Sequence, residues 1–177
     1  MNKKSNTYSQ LKAYLSIMVS MLFVFASCQR HTDMQGEGED YLQGIWVQDS
    51  IPGQDQLLNY TLYQFKFTCD SVYAEMQVRN KVQSIADSCY NNGKWTEYAK
   101  AVYSVRSDSM IVDGVYTKPN GKQKISGCHK HGIYGPRFLI KFKSKDSLVL
   151  ENRFESRPII LRKTADLSCV PKKRWEL

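Results

Sequence analysis

The stretch "YQFKFTCDSVYAEMQV", residues 63–78, reads as two strands and the turn between them. Tyr63, Phe65 and Phe67 alternate with Gln64 and Lys66, and Val72, Ala74, Met76 and Val78 resume the pattern after Cys69-Asp70-Ser71. A period of two puts every apolar side chain on one face of a strand. Asp and Ser suit the intervening turn because their side chains can hydrogen-bond nearby backbone amides. The stretch is therefore an antiparallel hairpin with one buried face.

The same design recurs in "YSVRSDSMIVDG" (103–114) and "IKFKSKDSLVLEN" (140–152), which places Asp70, Asp108 and Asp146 at intervals of 38 residues. Three aspartates could gather round a metal, but turn chemistry alone accounts for them. Working outward, strands are expected at 44–49, 59–69, 72–84, 94–106, 109–117, 137–144, 147–154 and 158–163, with no long helical periodicity after residue 41. The chain is all-β: an antiparallel up-and-down meander that can close into a barrel of about eight strands. A β-sandwich produces the same alternation and stands as the alternative.

Strand parity also bears on the cysteines. If eight strands alternate in direction, Cys69 and Cys169 fall at the end with the Asp-Ser turns, and Cys89 and Cys128 at the other. The expected disulfides are Cys69–Cys169 and Cys89–Cys128. "KPNGK", residues 118–122, is a good hairpin turn. A further strand through Ser126 would flip the parity and give Cys69–Cys128 with Cys89–Cys169.

The N-terminus carries Lys3, Lys4 and Lys12, then an apolar run from Ala13 to Ala26 broken by two serines. A spanning helix needs about 20 apolar residues. This run has 14 and fits a cleaved signal core. Phe25-Ala26-Ser27-Cys28 resembles a bacterial lipobox, with Phe where Leu is usual. The resemblance implies removal of residues 1–27 and acylation of Cys28, so that acyl chains anchor the protein to the membrane. An ordinary secretory cut beside Cys28 is the other reading. Residues 28–40, polar and acidic, are expected to be a flexible tether, 41–171 the folded domain, and 172–177 a basic tail. Acids following the cysteine resemble a surface-export signal of Bacteroidota lipoproteins. The expected location is the outer membrane, facing the periplasm or the surface.

The chain has 25 basic and 17 acidic residues. Residues 1–27 hold three lysines and no acid, which leaves 22 bases against 17 acids and a charge of +5 on the remaining 150 residues. That length suits one domain. Basicity raises nucleic acid as a partner, but an exported chain rarely meets it, and lysines on strand faces explain the charge. Four cysteines beyond Cys28 in an oxidising compartment favour disulfides. No CxxC pair supports a redox motif or a tetrathiolate zinc site.

Gly44-Ile45-Trp46 opens the first strand and Gly93-Lys94-Trp95 the fourth. Together with the lipobox, "DSLVLEN" and "TKPNGKQKISGC", these motifs resemble the lipocalin-like, calycin-type lipoproteins of Bacteroidota across residues 41–171. The resemblance implies a lipocalin-like barrel with a tryptophan across its floor, and an envelope address. Fumarate hydratase, a name that similar chains can carry, is physically implausible. One such enzyme class needs cluster-binding thiolates in a reducing interior, and the other needs long helices that this sequence lacks.

Trp46, Tyr63, Phe65, Phe67, Met76, Trp95, Tyr103 and Tyr116 are candidates to line a pocket, or equally to form a packed core. Eight Lys or Arg residues and no acid lie between Lys118 and Lys145. Lys122, Lys124, Lys130 and Arg137 are candidates to bind an anion, against the simpler reading that they face water. Cys128-His129-Lys130-His131 has metal-ligand residue types, but a fourth ligand is missing and Cys128 is claimed by a disulfide, so no metal or other cofactor is expected. With histidines only at 31, 129 and 131, no Ser-His-Asp arrangement assembles. The expectation is a non-enzymatic binding module for a small apolar or amphipathic ligand. The alternative is a filled barrel that meets an envelope protein through its basic loops.

Overall fold

The computed structural model describes residues 35–83, 85–153, 155 and 157–171. The expected signal segment, Cys28 and the tail 172–177 lie outside the described residues. Among those residues the strands are β1 (Gly44–Val47), β2 (Asn59–Thr68), β3 (Ser71–Asn80), β4 (Lys94–Arg106), β5 (Ser109–Thr117), β6 (Ile133–Tyr134), β7 (Arg137–Lys143), β8 (Ser147–Asn152) and β9 (Ile159–Ala165). Every pairing is antiparallel, β9 returns to β1, and β5 joins β4 to β7. The sheet thus closes into an eight-stranded up-and-down barrel with the short β6 outside the eight. Closure decides against the sandwich.

β6 is the strand the sequence did not disclose. It pairs Gly114↔Tyr134 and Val115↔Ile133, in the register that β7 continues with Ile111↔Arg137 and Ser109↔Leu139. Gly135 and Pro136 stand between the two. Proline has no N–H to extend the ladder, but the Pro136 carbonyl still accepts the Val112 N–H at 3.2 Å. A two-residue strand is too short to show alternation.

The Asp-Ser turns all lie at one end, and their spacing has a structural reason. The Asp70 carbonyl accepts the Tyr103 N–H at 2.8 Å, Asp108 that of Ile140 at 2.6 Å, and Asp146 that of Lys163 at 2.9 Å. Each turn thus pins a strand beyond its own hairpin. In the first two turns Cys69 and Ser107 take positive φ, 53° and 58°, as tight hairpins with right-handed twist require.

The two Gly-x-Trp motifs share a local cause. A Cβ on Gly44 would sit 2.6 Å from the Ala165 carbonyl oxygen, and one on Gly93 1.9 Å from that of Asn80. Only glycine lets the chain pass its neighbour so closely before the strand begins. Two residues on, each tryptophan faces inward, but at opposite ends of the barrel. Trp46 lies at the closed end, fully buried. Its Nε1–H donates to the Leu42 carbonyl at 2.7 Å, and Lys163 Nζ lies 4.9 Å from its ring centre.

The closed half is filled. Trp46, Phe67, Leu148 and Leu42 have no exposed surface, and Phe65, Val72, Met110, Val112 and Leu161 have 1%. Phe67 meets Tyr103 edge to face at 5.2 Å, and Phe65 meets Phe138 the same way at 5.9 Å. Beneath them Gln43 forms a polar plug. Its Nε2 donates to the Cys69 carbonyl at 2.9 Å, and its Oε1 accepts the Cys69 N–H at 2.7 Å.

The last residues of the segment expected as a tether make hydrogen bonds to the closed end of the barrel. Gly36 N–H donates to Asp70 Oδ2 at 2.8 Å, Asp70 N–H returns a bond to the Gly36 carbonyl at 3.1 Å, and Glu39 N–H donates to Tyr103 Oη at 3.0 Å. Residues 35–40 have a polar surface to dock against that composition alone does not reveal.

Both disulfides follow the eight-strand parity: Cys69–Cys169, Cα atoms 4.7 Å apart, and Cys89–Cys128, 5.5 Å apart. "KPNGK" does turn, with Gly121 N–H bonded to the Lys118 carbonyl at 2.9 Å. The return segment forms only the isolated bridge Thr117↔Gln123, so it adds no strand and the parity holds.

Candidate ligand site at the barrel mouth

At the end away from the Asp-Ser turns the barrel opens. A cavity of about 480 Å³ is bounded by inward-facing positions of β2 to β5 and roofed by His129, Lys130 and His131 of the segment 118–132. Its apolar wall is Met76, Val78, Ile85 and Trp95; its polar groups come from Tyr63, Glu97, Tyr116 and Glu155. This size falls within the usual range for small-molecule sites, about 300–1,000 Å³. Clefts of about 660 and 690 Å³ adjoin it and share Glu155. They run among loop residues and strand edges.

Glu97 organises the roof. Alternation along β4 places it inside with Trp95, Ala99, Ala101 and Tyr103, and it is 3% exposed. A carboxylate so placed needs partners. Lys124 Nζ lies 3.2 Å from Oε2, and the Lys130 backbone N–H donates to Oε1 at 3.1 Å. Both come from the roof, which Gly132 tightens by bonding the Lys124 carbonyl at 2.9 Å. The Cys89–Cys128 bond ties this roof to the short helix α1 (Asp87–Tyr90) on the neighbouring loop.

His129 follows that disulfide with φ +65°, and its ring stacks on Trp95. Burial, with help from Lys124, lowers its pKa against an opposing pull from Glu97. The neutral ring is therefore favoured.

Tyr63 and Tyr116 line the cavity, and Tyr134 packs against Tyr116 without lining it. Tyr63 Oη donates to Glu155 Oε1 at 2.7 Å. Tyr116 meets Tyr134 edge to face at 5.3 Å. Tyr134 Oη is buried with no hydrogen-bond partner among the described residues. Burial first, and then the Glu97 and Glu155 carboxylates, push the Tyr116 pKa up to about 12. Burial raises Tyr63 and Tyr134 as well, reinforced by Glu155. All three remain protonated phenols.

The pocket candidates thus divide. Tyr63, Met76, Trp95 and Tyr116 line the cavity, whereas Trp46, Phe65, Phe67 and Tyr103 belong to the filled half. Alternation says which way a side chain points, but not how deep it lies along the axis. The anion candidates are not brought together. Lys124 is taken by Glu97, Arg137 pairs with Asp113 at 3.0 Å on the outside, Lys122 is exposed in its turn, and Lys130 is exposed at the cavity rim. Cys128 is in a disulfide and His129 lies on Trp95, while His131 Nδ1 approaches the His129 carbonyl at 3.2 Å, so these residues do not converge on a common point. Glu97, Tyr134 and Glu155 went unread. Parity with Trp95 and Tyr103 could have disclosed Glu97; the other two lie in segments read as loops.

No family model, curated protein or solved structure matches the chain. Among the described residues no helix is long and apolar enough to cross a membrane.

Proposed function

We propose that the protein is a lipocalin-like binding module that holds a small amphipathic molecule in the mouth of its barrel. It does so as a lipoprotein anchored through Cys28 at the cell envelope. The observation that carries the reading is the contrast between the two halves. The closed half is packed without exposed surface, while the open half keeps a cavity of about 480 Å³ with an apolar wall and convergent polar groups. Glu97, Tyr63 and Tyr116 place polar groups beside the apolar wall of Met76, Val78, Ile85 and Trp95, the make-up usual for a small-molecule site.

A second reading has its own support. Leu58, Val82, Ile125 and Ile133, all near the open end, are 64%, 49%, 75% and 82% exposed. Such tips suit contact with another envelope protein, and contact there need not conflict with a ligand below.

Native mass spectrometry of the disulfide-intact protein from the envelope tests the first reading. A defined extra mass that is lost on denaturation is expected. A bare mass that stays bare after incubation with envelope lipid extract contradicts it.

A further inference from the structure

Resting on the lipoprotein reading above, we infer that the short link to Cys28 holds the closed end of the barrel toward the anchoring membrane. The cavity then faces away from that bilayer and fills from the aqueous side. The residues just ahead of the barrel are fixed to its closed end. Gln35 Nε2 donates to Ser71 Oγ at 3.0 Å, Gly36 and Asp70 exchange two hydrogen bonds, and Glu39 N–H donates to Tyr103 Oη. The chain is seated so closely that a Cβ on Gly38, where φ is +71°, would lie 2.0 Å from the Cys69 carbonyl oxygen. Its path into the fold is thus built at the turn between β2 and β3, at the end opposite Trp95 and His129.

Chain length turns that docking into an orientation. Cys28 is seven residues before Gln35, and an extended chain covers at most about 3.6 Å per residue, or about 25 Å here. β4 runs from the mouth to the Asp-Ser turns with 13 residues. At about 3.3 Å each and the usual tilt of barrel strands, that is about 30 Å from end to end. A bilayer pressed against the mouth would lie farther from Gln35 than Cys28 can reach, whereas one beneath the closed end lies within it. Leu58, Val82, Ile125 and Ile133, exposed at the open end, have the apolar character that suits insertion into lipid. On this tether they point into the aqueous compartment instead. A ligand therefore reaches the mouth through that compartment, not sideways out of the anchoring leaflet.

The test places the acylated, ¹⁵N-labelled chain from the envelope in nanodiscs of phosphatidylethanolamine and phosphatidylglycerol, with and without a lipid bearing gadolinium on its headgroup. Amide signals of 69–71 and 107–109, at the closed end, should broaden at least threefold more than those of 127–133. Inserting about 20 Gly and Ser residues between Asp33 and Met34 lengthens the reach and should bring the two sets close to equality. Equal broadening in the native chain, stronger broadening at 127–133, or a ratio that the insertion leaves unchanged overturns the orientation and leaves the lipoprotein reading standing. A chain recovered without acyl groups on Cys28, or one that does not stay with the nanodisc, overturns both.

Discussion

The His129 imidazole lies flat on the Trp95 indole, with ring centres 4.1 Å apart and planes 6° from parallel. One ring belongs to the barrel wall and the other to the roof, and the Cys89–Cys128 bond is the residue before His129. The contact therefore reports whether the roof is seated.

That contact is pH-sensitive in a definite direction. The folded pKa of His129 is depressed, so its stabilising share is complete above the free-histidine value of about 6.5 and is lost as pH falls through the folded value. Histidine NMR should place the His129 midpoint below about 6.5. After correction for intrinsic rates, amide exchange in residues 127–131 should be faster at pH 5 than at pH 7.5. A midpoint above the free value would falsify the assignment.

Removing the two disulfides should have different consequences. Cys69–Cys169 closes a span of 100 residues and Cys89–Cys128 one of 39. Loop entropy gives about 4.7 and about 4 kcal/mol respectively. The paired serine variant at 69 and 169 should therefore lower stability more in urea unfolding. The pair at 89 and 128 should be the one that weakens ligand binding, because it frees the roof. Equal loss of binding in both would contradict this division.

Glu97→Gln should loosen the roof by removing the charge that faces Lys124 at 3.2 Å. A lost buried charge-assisted bond is worth about 1.5–3 kcal/mol. The expected signature is a fall in melting temperature together with faster amide exchange at 124–132, while β1 and β9 keep their protection. Uniform loss of protection would instead mean a general core defect.

At the closed end, Tyr103 Oη donates to the Cys69 carbonyl at 2.9 Å and accepts from Glu39 N–H at 3.0 Å and Gln43 Nε2 at 3.2 Å. Tyr103→Phe leaves the Glu39 N–H without its partner, while Gln43 still bonds the Cys69 carbonyl, and should cost about 1–3 kcal/mol without changing ligand affinity. A large affinity change would place Tyr103 functionally in the cavity after all.

Fold and site were legible to different degrees. The strands were readable because Tyr63-Phe65-Phe67 and Val72-Ala74-Met76 alternate without interruption, and the disulfides followed from counting reversals. Depth was not readable: Trp46 and Trp95 carry the same motif, yet one plugs the closed half and the other lines the cavity. That outcome depends on strand stagger, which alternation does not encode. Tyr134 was hidden by Pro136, whose missing N–H breaks the strand signal. The contacts of residues 35–40 were not readable because their hydrogen bonds go to a turn more than 30 residues away.

The central claim, a barrel closed at one end and receptive at the other, is tested most directly by its own two tryptophans. In ¹⁵N-labelled protein titrated with envelope lipid extract, the Trp95 indole N–H resonance should shift in a saturable way while that of Trp46, bonded to the Leu42 carbonyl at 2.7 Å, stays still. Shifts at both, or at neither, would contradict a half-filled barrel that binds at its mouth.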